Sequence, residues 1–269
     1  MRTTTSRFAE LHAPAHWQVV DFISDLHLQG SEPATVQAWE RYLAATPADA
    51  VFILGDLFEV WVGDDGLDAD EEDARFERHC IGLLHTASTR CAVHFLHGNR
   101  DFLLGTQAAR RAGCTLLEDP TVLTFGGERW LLSHGDLLCL DDTEYLQFRA
   151  QVRTAPWQQA FLSRPLAERR AIARGLRQES EQRKRSGMPY ADVDETLARQ
   201  WLAEGAATQM IHGHTHKPAD HDLGAGLCRR VLSDWDLQAR PPRAEVLRLR
   251  LQPNEQAVQV QRLAADPAG

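Results

Sequence analysis

The sequence is short of the features that would place it in several common classes. It has five cysteines, Cys80, Cys91, Cys114, Cys139 and Cys228. The number is odd, no CxxC pair occurs and the chain runs to 269 residues. A disulfide framework is therefore not expected, and a reducing compartment is. No run approaches the roughly 20 apolar residues that span a bilayer. Residues 1–16 carry charges and no apolar core, so they do not read as a signal peptide. Positive charge is in the minority: 29 basic against 38 acidic side chains leave a net charge of -9. That balance argues against a general nucleic-acid binder, whose affinity comes from neutralising phosphates. No internal repeat or low-complexity segment is present.

What is there is an ordinary globular composition, 43% hydrophobic and 25% charged, in a chain long enough for a substantial core. Short apolar runs predict strands at 19–24, 50–54, 91–96, 210–211 and 229–232. Alternation predicts two more at 244–251 and 256–263. A hairpin is expected at 122–125 and 128–133 around Gly126 and Gly127. Helical spacing marks 35–45, 71–86 and 105–112. Early strand–helix alternation followed by closing antiparallel strands predicts a mixed α/β layered domain. One stretch differs. Between Arg149 and Arg185 ten basic side chains face three acidic ones, interleaved with Val152, Trp157, Phe161, Leu162, Leu166, Ile172 and Leu176. It reads as helices and interrupts the strand pattern, which predicts an inserted helical cap. The expected division is a core of 17–140 and 205–265, a cap of 141–204 and an N-terminal extension of 1–16. Residues 266–269 read as a frayed tail.

Five predicted strands each end in side chains that suit a metal ion. Asp25 and His27 follow the first, Asp56 the second, and Asn99, Arg100 and Asp101 the third. His134 follows the hairpin, and His214 and His216 a late strand. Ligand sites in open α/β sheets gather beyond the carboxyl ends of strands, so these clusters can converge. Glycine before Asp56, Asn99 and His214 lets the backbone turn sharply and approach closely. A carboxylate can bridge two cations, and Asn is a neutral oxygen ligand that limits negative charge. Imidazole and oxygen donors without thiolate favour Mn, Fe, Co or Zn. Each cluster alone has a plainer reading: a surface Asp-x-His pair, a turn at Asn99–Asp101, a lone His-rich strand end. Five together are hard to obtain by chance. His12, His16, His79, His85, His94 and His221 receive no role, and His97 and His212 are placed behind the ligands or in the core. Cys139 reads as a small buried hydrophobe.

The order DxH, GD, GNRD, HGD, GHTH resembles the calcineurin-like metallophosphoesterase superfamily. The resemblance implies a sandwich of two mixed β-sheets flanked by helices. It implies one ion held by Asp25, His27 and His216, another by Asn99, His134 and His214, with Asp56 bridging. Longer motifs narrow it: SDLHL at 24–28, ILGDLFE at 53–59 with Trp61 and GDD at 63–65, HGNRDFLLG at 97–105, HGD at 134–136 with Cys139 and Asp141–Asp142, and HGHTHKP at 212–218. These are similar to the UDP-2,3-diacylglucosamine diphosphatase family of lipid A synthesis in Gram-negative bacteria, over about residues 19–235. What that implies is cleavage of an acylated UDP-glucosamine at its pyrophosphate, giving UMP and 2,3-diacylglucosamine 1-phosphate, with two Mn²⁺ ions. It implies substrate contacts at Asn99, Arg100, Asp142, Ser180, Lys184, Gly187 and His214, and catalytic roles for Asp56, Arg100 and His214. Lys184 stands where some relatives have a polar amide, and Gly187 where a Lys can occur.

Many superfamily phosphatases have His after the Asn, where this chain has Arg100. An Arg is no general acid near neutral pH, but it can hold a pyrophosphate bidentately. The basic, apolar cap suits an acylated phosphate ester and peripheral association with an anionic leaflet, on the cytoplasmic face of the inner membrane. An ordinary solvated helix pair is the alternative for that stretch. Three rivals remain. A metallophosphodiesterase or phosphatase acting on a soluble nucleotide keeps the chemistry and predicts a cap without an apolar cleft. A metal-bound scaffold predicts lost ligands, whereas all seven are present. Nucleic-acid cleavage is disfavoured by the charge.

Overall fold

The structure of the protein, a computed structural model, describes residues 6–185, 192–252 and 257–265, with 179–185 as backbone only. Strand β2 (Val19–Ile23) shows why the chain layers as it does. Its five residues are all buried, and period-two alternation sends them to opposite faces. Val20 and Phe22 join one cluster with Phe52, Leu54, Leu96, Leu123, Phe125, Trp130, Leu132 and Ile211. Val19 and Ile23 join another with Val51, Ile53, Phe95, Trp39, Leu84 and Ala108. A strand buried on both faces needs a layer on each side, and the fold supplies a second sheet and a helical layer.

Two six-stranded sheets result. One holds β12 (Val258–Ala264), β11 (Glu245–Leu251), β2, β3 (Ala50–Leu54), β4 (Ala92–Leu96) and β5 (Cys114–Leu117), in that order. The other runs β1 (Ala9–His12), β6 (Thr121–Phe125), β7 (Glu128–Ser133), β8 (Gln209–His212), β10 (Leu227–Val231), β9 (Ala219–Gly224). Helices α1 (Pro33–Ala45), α2 (Glu72–Ser88) and α3 (Thr106–Ala112) cover the first sheet. Between β7 and β8 come α4 (Thr143–Val152), α5 (Ala155–Leu162), α6 (Leu166–Arg185) and α7 (Glu195–Glu204). The expected two-sheet sandwich with flanking helices is what the chain forms.

Position, more than stability, makes this fold useful. Strands β2, β3 and β4 are parallel neighbours, and so are β7 and β8. Their carboxyl ends, which carry the five motifs, emerge at one edge of the sandwich. His134, just past β7, spans the two sheets: its Nδ1 lies 2.9 Å from the Leu54 carbonyl oxygen at the end of β3.

Four details differ from expectation. The segment 1–16 is not wholly outside the core, because Ala9–His12 pairs in parallel with Thr121–Thr124. It is an edge strand with alternate residues exposed, and its short polar pattern gave no strand signal. β5 is four residues long. β9 is a polar edge strand, ADHDLG. Neither carries the apolar run by which strands announce themselves. The inserted helices are also not one detached lid. Ala198 and Leu202 of α7 pack with Val122, Leu131 and Met210 on the outer face of the second sheet, whereas Phe161 of α5 joins the cluster under the first.

Candidate metal centre

Five candidate residues sit where backbone rarely goes. Asp25, His27, Asp56, His214 and His216 have φ between 49° and 66°, the left-handed region that side chains with a Cβ disfavour. Each lies where a strand stops and the chain swings outward. Strain of this kind concentrates at sites that use it. Two glycines make the loops' close approach possible. A Cβ on Gly98 would lie 2.0 Å from Asp56 Oδ1, and one on Gly213 would lie 2.2 Å from Asp25 Oδ2.

The loops bring ligand atoms into two groups, each within 4.8 Å: Asp25 with His27 and His216, and Asp25 with Asp56 and His134. In the first, His27 Nε2 and His216 Nε2 are 3.4 Å apart, and His216 Nε2 is 3.4 Å from Asp25 Oδ1. In the second, His134 Nε2 is 3.8 Å from Asp56 Oδ2. Asp56 Oδ2 is also 3.9 Å from His27 Nε2, so this one oxygen stands between the groups. Asn99 Oδ1 lies 3.0 Å from both His134 Nε2 and His214 Nδ1. All seven candidates therefore meet at one place. Ser180 and Lys184 fall where only backbone is described, and Gly187 lies outside the described residues. Asp142 accepts a hydrogen bond from the Tyr145 N–H at 3.1 Å and caps α4. Arg100 lies at the edge of the gathered ligands, its backbone N–H donating to Asp56 Oδ1 at 2.8 Å.

The site fits divalent cations on two further observations. Asp25 is fully buried, and among the described residues its Oδ1 has no hydrogen-bond partner. A buried carboxylate oxygen without a donor asks for a cation. The other oxygen accepts from Ser24 Oγ at 2.5 Å and from the His214 N–H at 2.9 Å. The contact of His134 Nδ1 with the Leu54 carbonyl puts the ring proton there and frees Nε2 for a ligand. Burial penalises a charged His214 and, with His134 nearby, pushes its pKa down to about 3. It is thus neutral, the form that ligates. At His134 burial acts in the same direction, but the Asp56, Asp25 and Asp136 carboxylates outweigh it and raise the pKa to about 9. That is the signature of surplus negative charge awaiting a counter-ion.

Three carboxylates hold the ligands in place; all three stand within the sequence motifs, but none is assigned there as a ligand or substrate contact. Glu59 is buried, with its Oε2 3.0 Å from His27 Nδ1. Its other oxygen lies 3.6 Å from Arg100 and 2.9 Å from Arg177 Nε of α6. Burial opposes its charge, but His27, Arg100 and Arg177 prevail and hold its pKa at about 2. The signal was a lone carboxylate within an apolar run, Leu57 to Val62. Asp101, also buried, accepts from the N–H groups of Gly98 at 2.9 Å and Leu57 at 2.8 Å, tying the Asn99 loop to the Asp56 loop. Burial, then the Asp56 charge, push its pKa up to about 6. Asp136 accepts from the Tyr145 hydroxyl and from Arg149 Nε, and the Tyr145 ring stacks at 6.0 Å from His214.

Comparison with known proteins agrees with this geometry. The family model described as calcineurin-like phosphoesterase matches residues 19–218. The chain is 44% identical over 225 residues to a Chromobacterium violaceum protein named UDP-2,3-diacylglucosamine hydrolase, covering 80% of this chain and 90% of that one. It is 46% identical over 233 residues to the protein of that name from Stenotrophomonas maltophilia, with the same coverage. A Pseudomonas aeruginosa protein, again of that name, is 43% identical over 225 residues, 81% of this chain and 91% of that one. The chain belongs to the calcineurin-like phosphoesterase family.

Proposed function

We propose that the protein hydrolyses the pyrophosphate bond of UDP-2,3-diacylglucosamine, giving UMP and 2,3-diacylglucosamine 1-phosphate, in lipid A synthesis. In this reading Asp25, His27 and His216 hold one divalent ion and Asn99, His134 and His214 the other, with Asp56 shared. Mn²⁺ suits the mixed imidazole and oxygen donors. Two such ions, when bound, would make a water more acidic and draw charge from the phosphoryl oxygens. The chain's own residues do the rest. Glu59 and the Leu54 carbonyl fix the tautomers of His27 and His134. Arg100 grips the pyrophosphate and offsets charge that grows on its oxygens. Tyr145 backs the His214 ring.

One observation favours a lipid-linked pyrophosphate over a soluble nucleotide. Beside the ligands a groove of about 230 Å³ is walled by Leu28, Phe58, Val60, Val62 and Phe76 and flanked by arginines of α6, with Glu59, Asp73 and Glu77 also on its lining. An apolar wall under cationic side chains is what an acylated phosphate ester asks for. Exposed Leu162 and Leu176, at 40% and 42%, lie on α5 and α6, with Arg164 in the turn between those helices and Arg174 on α6. They support peripheral attachment to an anionic leaflet at the cytoplasmic face of the inner membrane. Among the described residues no helix is long and apolar enough to cross a membrane. The test is Asp56→Ala. We expect turnover to vanish and metal content to fall; full activity in this variant would end the two-metal reading.

A further inference from the structure

A second, larger groove of about 480 Å³ opens on the same centre. It is lined by His27 and His216, by Arg100 and Arg177, by the carboxylates Glu32, Glu59, Asp234 and Asp236, and by Trp235, Gln238 and Ala239 of the loop after β10. The two grooves share only Gln29, Glu59 and Arg177. They therefore diverge from a common wall beside the metal centre. Their chemistry differs: the smaller one has five aliphatic or aromatic walls beside three arginines and three carboxylates, and the larger has chiefly polar or charged side chains.

The loop that forms the far wall is held rigid from within. Asp236 Oδ1 accepts from the N–H groups of Gln238 and Ala239, both at 2.9 Å. Arg243 grips Asp234 through two hydrogen bonds of 2.8 and 2.7 Å. The loop is also tied to the metal centre. The Trp235 N–H donates to the Asp25 carbonyl at 3.0 Å, and Asp234 Oδ2 is 3.6 Å from His216 Nδ1. Among the described residues, two polar groups on it lack protein partners. Trp235 is 2% exposed, and its indole Nε1 is buried without an acceptor. The Gln238 side-chain amide is exposed and makes no hydrogen bond among the described residues. By contrast the Gln29 amide is engaged on both sides, by Glu32 at 2.7 Å and Arg177 at 3.1 Å.

We propose that this groove seats the nucleoside 5′-monophosphate half of the substrate, with the 234–239 loop reading the base and ribose. The assignment rests on the function proposed above. A pyrophosphate joining a nucleoside to an acylated sugar is polar on one side of the scissile bond and greasy on the other. The two grooves sort those halves. With the phosphates beside Arg100 and the metal centre, the nucleoside extends along the loop. A free amide offers a donor and an acceptor together, which matches the imide edge of a pyrimidine. A pre-formed loop binds it without ordering cost. Ala239, a small side chain, lines the same groove.

The test uses the full-length, metal-loaded protein and titrates UMP, ribose 5-phosphate and inorganic phosphate by calorimetry. We expect UMP to bind about tenfold or more tighter than ribose 5-phosphate, the worth of one or two base contacts. Ala239→Trp fills the groove and should weaken UMP by at least about tenfold, with phosphate binding and metal content unchanged. Gln238→Ala, an exposed position, carries the same test if the Trp variant folds poorly, with a smaller loss. Equal affinity for UMP and ribose 5-phosphate, or unchanged UMP binding in both variants, overturns the assignment. If UMP binds as expected but acylated UDP-glucosamine is not cleaved, the proposed substrate falls and the nucleotide site stands.

Discussion

Glu59 does more with one side chain than any residue the motifs single out. It orients a candidate metal ligand, His27, and salt-bridges both Arg100 and Arg177 of the inserted helices. Groups that hold a ligating imidazole by its far nitrogen typically cost 10–100-fold in metal affinity when removed, by rough estimate. Glu59→Gln keeps the shape and deletes the charge. Equilibrium metal titration should show a drop in that range at one of two sites; an unchanged isotherm would leave Glu59 with packing alone. The contrast with the seven candidates shows what a sequence can carry. Asp56, Asn99 or His214 is visible because its neighbours in sequence, a strand before and a glycine beside, are its neighbours in space. Glu59 and Asp101 act across distance. Asp101 serves an N–H 44 residues away, and Arg177 reaches Glu59 from the inserted helices. No local pattern encodes such a meeting.

At the scale of elements, the site depends on β2, β3 and β4 ending level, and β2 is pinned by a buried ion pair. Arg248 of β11 donates to Asp21 Oδ1 at 2.7 Å and Oδ2 at 2.8 Å. Tyr42 and Thr46 at the end of α1 add hydrogen bonds of 3.0 and 2.7 Å. Arg248→Met would leave the Asp21 carboxylate, 0% exposed, with neutral donors only. Breaking a buried pair from one side costs about 3–5 kcal/mol, and the two hydroxyls place this case near the lower end. Denaturant unfolding should report a loss of about 3 kcal/mol; a loss under about 1 kcal/mol would mean the hydroxyls suffice. The same elements mark the limit of pattern reading. β2, β3 and β7 are apolar enough to be recognised. β1, β5 and β9 are edge strands of four to six residues, placed by pairing with a neighbour.

The whole molecule separates its charge. A chain of net charge -9 carries a basic, partly greasy face on its inserted helices. Arg164, in the turn between α5 and α6, and Arg174 of α6 are exposed, as are Leu162 and Leu176. Each cation near an anionic leaflet is worth about 1 kcal/mol. Replacing both arginines with Gln should weaken binding to phosphatidylglycerol vesicles by roughly thirtyfold, read by sedimentation. Unchanged partitioning would speak against a surface role. The basic stretch was legible from composition, but its docking on both layers was not. That docking depends on Phe161 and Ala198 reaching separate clusters, a matter of tertiary packing.

The most direct measurement is UMP release from UDP-2,3-diacylglucosamine, run beside bis(p-nitrophenyl) phosphate, with Mn²⁺ and with chelator. The account predicts metal-dependent cleavage of the lipid substrate, lost on chelation and restored by Mn²⁺. Its kcat/KM should exceed that for the generic diester by roughly a thousandfold, because both grooves contribute binding to the transition state. Equal use of the two substrates, or UMP release that survives chelation, would contradict it.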